Sequence, residues 1–210
     1  LAEYLTVPGR ARTEQIIERS RFITSASPAA SREEAEAFFA EIRKEFRDAT
    51  HNVPAFVIGD KMQLQWASDD GEPQGTAGAP IVRLITGKGL TNVAVVVTRY
   101  FGGIKLGTGG LVRAYTSSAS QCLDACGTAR HESALSMEAR VSYPAFEKLR
   151  RAKLPEGAEI KEPVYSDRVG VTILFREAER EALLKLLNDI SGGDLEVSEE
   201  KETERVFLIP

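Results

Sequence analysis

The segment from Thr98 to Tyr115 carries five glycines, Gly102, Gly103, Gly107, Gly109 and Gly110, interleaved with the cations Arg99, Lys105 and Arg113. It joins a β-branched apolar run to a helical pattern, so the glycines sit where a strand turns into a helix. Such a turn exposes backbone N–H groups, and the helix start adds the positive end of the dipole. Arg99, Tyr100, Gly102, Gly103, Lys105, Gly107, Thr108, Gly109, Gly110 and Arg113 therefore read as a candidate anion or RNA-phosphate site. Its surroundings agree, since Arg83, Lys88, Arg99, Lys105 and Arg113 lie between Pro73 and Leu123 with no acidic residue among them. Nucleotide motifs do not fit: Thr108 stands where a P-loop needs lysine, and Val112 where a dinucleotide fingerprint needs its third glycine. A structural turn that lets helix approach sheet accounts for the same glycines and stays open.

A second polar run, Ser68-Asp-Asp-Gly-Glu-Pro73, offers the carboxylates Asp69, Asp70 and Glu72, and with His51 and Asn52 it forms a possible polar site. The carboxylates suit a hard cation or proton transfer. An Asp-Gly turn ahead of a helix, with Glu72 favouring the helix N-terminus, explains them without chemistry and is preferred. On that reading asparagine at 69 and 70 builds the same turn. His51 and His131 are the only histidines and match no zinc spacing, so no metal or other cofactor is expected. Cys122 and Cys126, four apart on a helix, read as small core residues. Tyr100, Phe101 and Tyr115 would stack on single-stranded RNA if exposed and belong to the core if not.

The whole chain bounds these readings. Its 210 residues, 42% of them apolar, suffice for a buried core, and a net charge of -4 excludes a polycation, so any basic surface is local. The part up to Arg130 sums to +1, from 15 basic and 14 acidic residues, and the remainder to -5, from 12 and 17. No apolar run is long enough to span a bilayer and Leu1–Ser20 has no secretory pattern, which makes the cytoplasm the expected compartment, with no membrane partner.

Periodicity assigns the elements that must position these residues. In the first part strands are expected at Glu14–Glu18, Arg21–Ser25, Val53–Gly59, Met62–Ala67 and Val93–Thr98, the last covered on both faces. Helices are expected from Ser31 to about Phe46, with Ser31 and Glu34 as a capping box, over Thr76–Leu84, and from about Gly110 to Cys126. After a short linker near Gly127–Ser133, strand 137–143, helix 145–153, strand 159–165, strand 169–175, a leucine-lined helix ending at Ser191–Gly193 and a last strand make the order βαββαβ of a ferredoxin-like domain. The expectation is an α+β protein with domains over 1–132 and 133–210.

Ala49-Thr-His-Asn52, Ser68-Asp-Asp-Gly-Glu-Pro73, Gly75-Thr-Ala-Gly78, Leu90-Thr-Asn-Val93 and the block Thr98–Tyr115 together resemble the IMPACT family, in its bacterial YigZ-like branch. The resemblance runs from about Ser20 to Cys126. It implies a first domain similar to domain IV of elongation factor G, a ribosomal-protein-like βα fold, and a second similar to that factor's ferredoxin-like domain V. Eukaryotic relatives are translational regulators with an extra N-terminal domain, and the role tied to that domain is not carried over. Relatives more often have cysteine where this chain has Val53. The superfamily's small-molecule kinases are also considered, but five residues separate Gly110-Leu111 from Ser117-Ser118-Ala119 and break their motif. The expected function is a translation-associated regulator that binds RNA or the ribosome through the basic turn, with no DNA specificity. The alternative is an enzyme in which the turn holds a phosphorylated metabolite and Asp69, Asp70 or Glu72 binds metal or moves a proton. Oligomeric state stays open.

Overall fold

A computed structural model describes residues 3–198 and 200–209, omitting the side chains of 207 and 208. Residue contacts divide it into two units, one reaching to His131 and including the chain from Val206, the other spanning Glu132–Arg205. Among the described residues no helix is long and apolar enough to cross a membrane.

The first unit begins with β1 (Tyr4–Thr6), which sequence patterning did not indicate, and the hairpin β2 (Ala11–Ile17) and β3 (Ser20–Pro28). Strand β2 starts three residues before the expected span and ends one short of it, and β3 extends beyond its span at both ends. Glu18 and Arg19 turn the hairpin with φ of 45° and 63°, left-handed values that two non-glycine residues adopt only under tertiary constraint. Then come α1 (Arg32–Glu45), β4 (His51–Ile58), β5 (Leu64–Ala67), α2 (Gly78–Gly87), β6 (Val93–Tyr100), α3 (Gly107–Cys126) and β7 (Thr128–Val141), whose residues from Glu132 on belong to the second unit. Ser31 caps α1 as expected, accepting from the Glu34 N–H at 3.2 Å. Helix α3 starts three residues earlier than the pattern suggested, at Gly107. The expected linker near 127–133 is strand from Thr128 onward.

Strands β2-β3-β6-β4-β5 form an antiparallel sheet in that order. Central β6 is buried on both sides, as its unbroken apolar run predicts. Val93, Val95 and Val97 join the core with α2 and α3, while Ala94 and Val96 face Ala35, Phe38 and Ile42 of α1. The two-residue period of the strand thus sorts its side chains between two cores. Phe39 and Trp66 extend the second core in a stack with Phe56.

In the second unit α4 (Tyr143–Arg151), β8 (Glu159–Ile160), β9 (Val164–Tyr165), β10 (Val169–Phe175), α5 (Arg180–Ser191), β11 (Glu196–Val197) and β12 (Lys201–Ile209) follow β7. The single strand expected over 159–165 is two short ones, both paired with β10. Pro163 lies between them and has no N–H to offer a ladder. Strand β10 pairs antiparallel with β7, which also pairs with β12. Met137, Ala139, Val141, Val171 and Ile173 meet Phe146, Leu149, Leu183 and Leu187 in a separate core.

Candidate functional site

The polar residues of the sheet's first unit divide into a buried cluster and an outer turn. In the cluster, Glu72 Oε1 accepts from Arg99 Nη1 and from the Tyr115 hydroxyl, each at 2.7 Å. His51 Nε2 stands 3.7 Å from the same oxygen. His51 Nδ1 lies 2.8 Å from the Asp70 carbonyl oxygen, and since a carbonyl only accepts, that nitrogen carries the proton. Burial, then the bond to Glu72, raises the Tyr115 hydroxyl far above its ordinary pKa, so it remains a donor. Asn52 is tied on three sides: its N–H donates to Asp70 Oδ2 at 2.6 Å, its amide nitrogen to Phe46 O, and its side-chain oxygen accepts from Thr98.

Asp69 serves the backbone. Its Oδ1 accepts from the N–H groups of Ala77 and Gly78 at 3.1 and 2.8 Å, and its Oδ2 from Gly75 at 2.7 Å. Burial alone would raise its pKa, but these three donors outweigh that and hold the carboxyl below the ordinary value. Asp70 and Gly71 have φ of 45° and 88°, the Asp-Gly turn read from the sequence. Two expectations about this run need correction. The Glu72 carboxylate is spent on Arg99 and Tyr115 instead of the α2 N-terminus, where Asp69 acts. Asparagine at 69 cannot build the same turn either, because its single amide oxygen replaces two accepting oxygens and its NH2 would face a donor.

Arg99 also departs from expectation. Its side chain is 5% exposed, with Nη2 donating to Ser20 Oγ at 3.2 Å and Nη1 to Glu72, so it does not join the exposed cations of the turn. The register explains this, since Arg99 follows Val93, Val95 and Val97 on the inward side of β6. Tyr100, on the opposite side, donates its hydroxyl to Asp48 at 2.9 Å.

The outer turn starts where Gly102 N–H donates to Ser20 Oγ at 3.3 Å. A Cβ on Gly102 would lie 2.0 Å from Arg19 O, so only glycine lets the loop approach the β2–β3 hairpin. Gly103 and Gly107 have φ of 85° and 69°. Lys105, Gly107, Thr108, Gly109 and Arg113 are exposed, while Gly110 is half-buried against Leu106. No side chain caps α3, no acid lies in its first turn, and its opening amides lack intrahelical acceptors. Arg113 reaches back toward that turn, with Nη1 3.5 Å from where a Cβ on Gly109 would be. Beside it a groove of about 600 Å³ is lined by Ile17, Glu18, Ile104, Lys105, Leu106 and Arg113, among others. Among the described residues, Lys105 and Arg113 have no carboxylate partner, unlike Lys88 on Asp124.

Sequence reading missed Ser20 and Thr50, which anchor the turn's first amides at Gly102 and Phe101. Neither carries a local signal, because each acts across strands distant in sequence.

Fold and site together describe a two-sheet α+β protein with a candidate anion-binding turn at a helix start. The chain belongs to the IMPACT family: the Impact N-terminal domain profile matches residues 18–123. It is 36% identical to IMPACT family member YvyE of Bacillus subtilis (strain 168) over 208 residues, 99% of this chain and 94% of YvyE. IMPACT family member YigZ of Escherichia coli (strain K12) is 46% identical over 117 residues, 54% of this chain and 57% of YigZ. A crystal structure of a hypothetical protein matches at a TM-score of 0.61 with 32% identity, covering 94% of this chain and 97% of that one.

Proposed function

We propose that this is a cytoplasmic, translation-associated protein that binds RNA or the ribosome through the turn from Gly102 to Arg113. One observation carries the reading: the uncapped start of α3 is exposed between Lys105 and Arg113, two cations with no carboxylate partner among the described residues. Glu18 also lines the groove and would repel an anion held against it, so on this reading the phosphate contacts the amides at the start of α3. The translational setting is carried by the family resemblance. It is supported by the strand order β12-β7-β10-β8 with α4 and α5 sharing one core, which suits a ferredoxin-like second domain; the likeness of the first domain to domain IV of elongation factor G rests on the resemblance.

The carboxylates that an enzyme would use are engaged elsewhere, Asp69 by three amides, Asp70 by Arg43 and the Asn52 N–H, and Glu72 by Arg99 and Tyr115. This favours the binding reading over metal-assisted chemistry. Crosslinking in cells followed by sequencing of bound RNA tests it. Enrichment of RNA that falls on Lys105→Ala plus Arg113→Ala supports the reading, and recovery no higher than background sinks it.

A further inference from the structure

Besides phosphate donors, the turn presents one ring to solvent. Phe101 is 47% exposed, whereas Tyr115 is fully buried and Tyr100 is half-buried. The backbone beneath it is anchored, with Phe101 N–H donating to Thr50 Oγ1 at 3.0 Å and the next amide donating to Ser20. One side of the ring is also backed by charge: the Arg99 guanidinium carbon lies 5.5 Å from the ring centroid. That guanidinium is held in place by Glu72 and Ser20, so the cation beneath the ring does not swing away. A flat ring on a fixed support loses little freedom when a second flat group stacks on it.

We propose that Phe101 is a stacking platform for an unpaired base of single-stranded RNA, whose backbone runs on toward Lys105. The inference rests on the RNA reading above and narrows its ligand from RNA in general to an unpaired strand. Charge complementarity names the occupant. Lys105 and Arg113 are exposed within the same turn and Arg19 is exposed in the hairpin whose backbone Gly102 approaches, so with Glu18 as the acid of that hairpin the exposed charges along the turn are mainly cationic, as a polyanionic strand requires. Four residues place the Cα atoms of Phe101 and Lys105 at most about 14 Å apart, within reach of neighbouring nucleotides of one strand. Bases inside a duplex have both faces covered, so a duplex cannot use the ring and would engage the cations alone.

The test measures binding of a short oligouridine containing one fluorescent adenine analogue, whose emission is quenched by stacking, against a duplex of equal length. The parent is expected to bind the single strand more tightly and to quench the analogue. Phe101→Ala should weaken single-strand binding roughly 5- to 150-fold and leave duplex binding unchanged. Phe101→Trp should retain both binding and quenching, while Phe101→Leu, with a melting temperature equal to the parent's, should lose the quenching. Unchanged single-strand affinity in Phe101→Ala, or an equal loss on the duplex, overturns the platform while leaving the RNA reading intact. Binding of neither form by the parent overturns both.

Discussion

At Glu72 a single carboxylate oxygen meets Arg99 and Tyr115, and both sides of the ion pair are nearly sealed from water, at 5% and 4% side-chain exposure. Removing one member strands the other in the interior. Arg99→Met should therefore cost about 3–5 kcal/mol in urea unfolding. Tyr115→Phe removes one of the carboxylate's donors and should cost less, about 1.5–3 kcal/mol. Equal losses would mean that the pair does not act as a unit. Asp69→Asn should cost about 1–3 kcal/mol, since with its oxygen kept on Ala77 and Gly78 it leaves the Gly75 N–H without its acceptor. The folded-state pKa of Asp69 is lowered, so its contribution is present above the ordinary value of 3.8 and lost as pH falls through the folded one. The stability gap between parent and Asp69→Asn should accordingly close in acid, and a gap that persists at low pH would assign it to shape instead of charge. The residue types of this cluster stand out in the sequence. Which of them pair does not, because Glu72, Arg99 and Tyr115 come from a loop, a strand and a helix.

The glycine turn behaves as an element clamped at one end and open at the other. A methyl group at Gly102 would meet the backbone of Arg19 and Ser20, which cannot rotate away, whereas at Gly107 nothing lies within 4 Å and only the φ of 69° resists. Gly102→Ala should therefore lower the melting temperature more than Gly107→Ala does. At Gly107, valine should cost about 1–3 kcal/mol and asparagine, which tolerates the left-handed region, less. Indifference of the melting temperature to Gly102→Ala would contradict the close approach. Spacing in the sequence placed a turn here between a strand and a helix. It set the start of α3 too late, because three glycines within four residues lower helix propensity that tertiary packing then overrides.

Over the whole molecule the net charge of -4 opposes a polyanion, so the proposed RNA binding would have to come from a local field and should fall with salt. If Lys105 and Arg113 each neutralise one phosphate of a single strand, log K against log salt should have a slope of about -1.4. Replacing either by alanine should halve that slope without moving the melting temperature, because both side chains are exposed. A slope near zero would point to a ligand without phosphates.

By itself the sequence determined that β6 is buried on both faces, that α1 is capped at Ser31, that Asp70-Gly71 turns the chain and that five glycines gather where β6 gives way to α3. Each follows from side-chain period or backbone freedom within a few residues. Only the tertiary structure decided that Arg99 turns inward to Glu72 while Lys105 and Arg113 remain outside, that Asp69 caps a helix eight residues away, and that Phe101 is exposed while Tyr115 is buried. Cations and aromatic rings of the same type acquire opposite roles according to which strand face or neighbouring loop reaches them. Those neighbours are set by strand register and backbone approach over separations that local patterning does not encode.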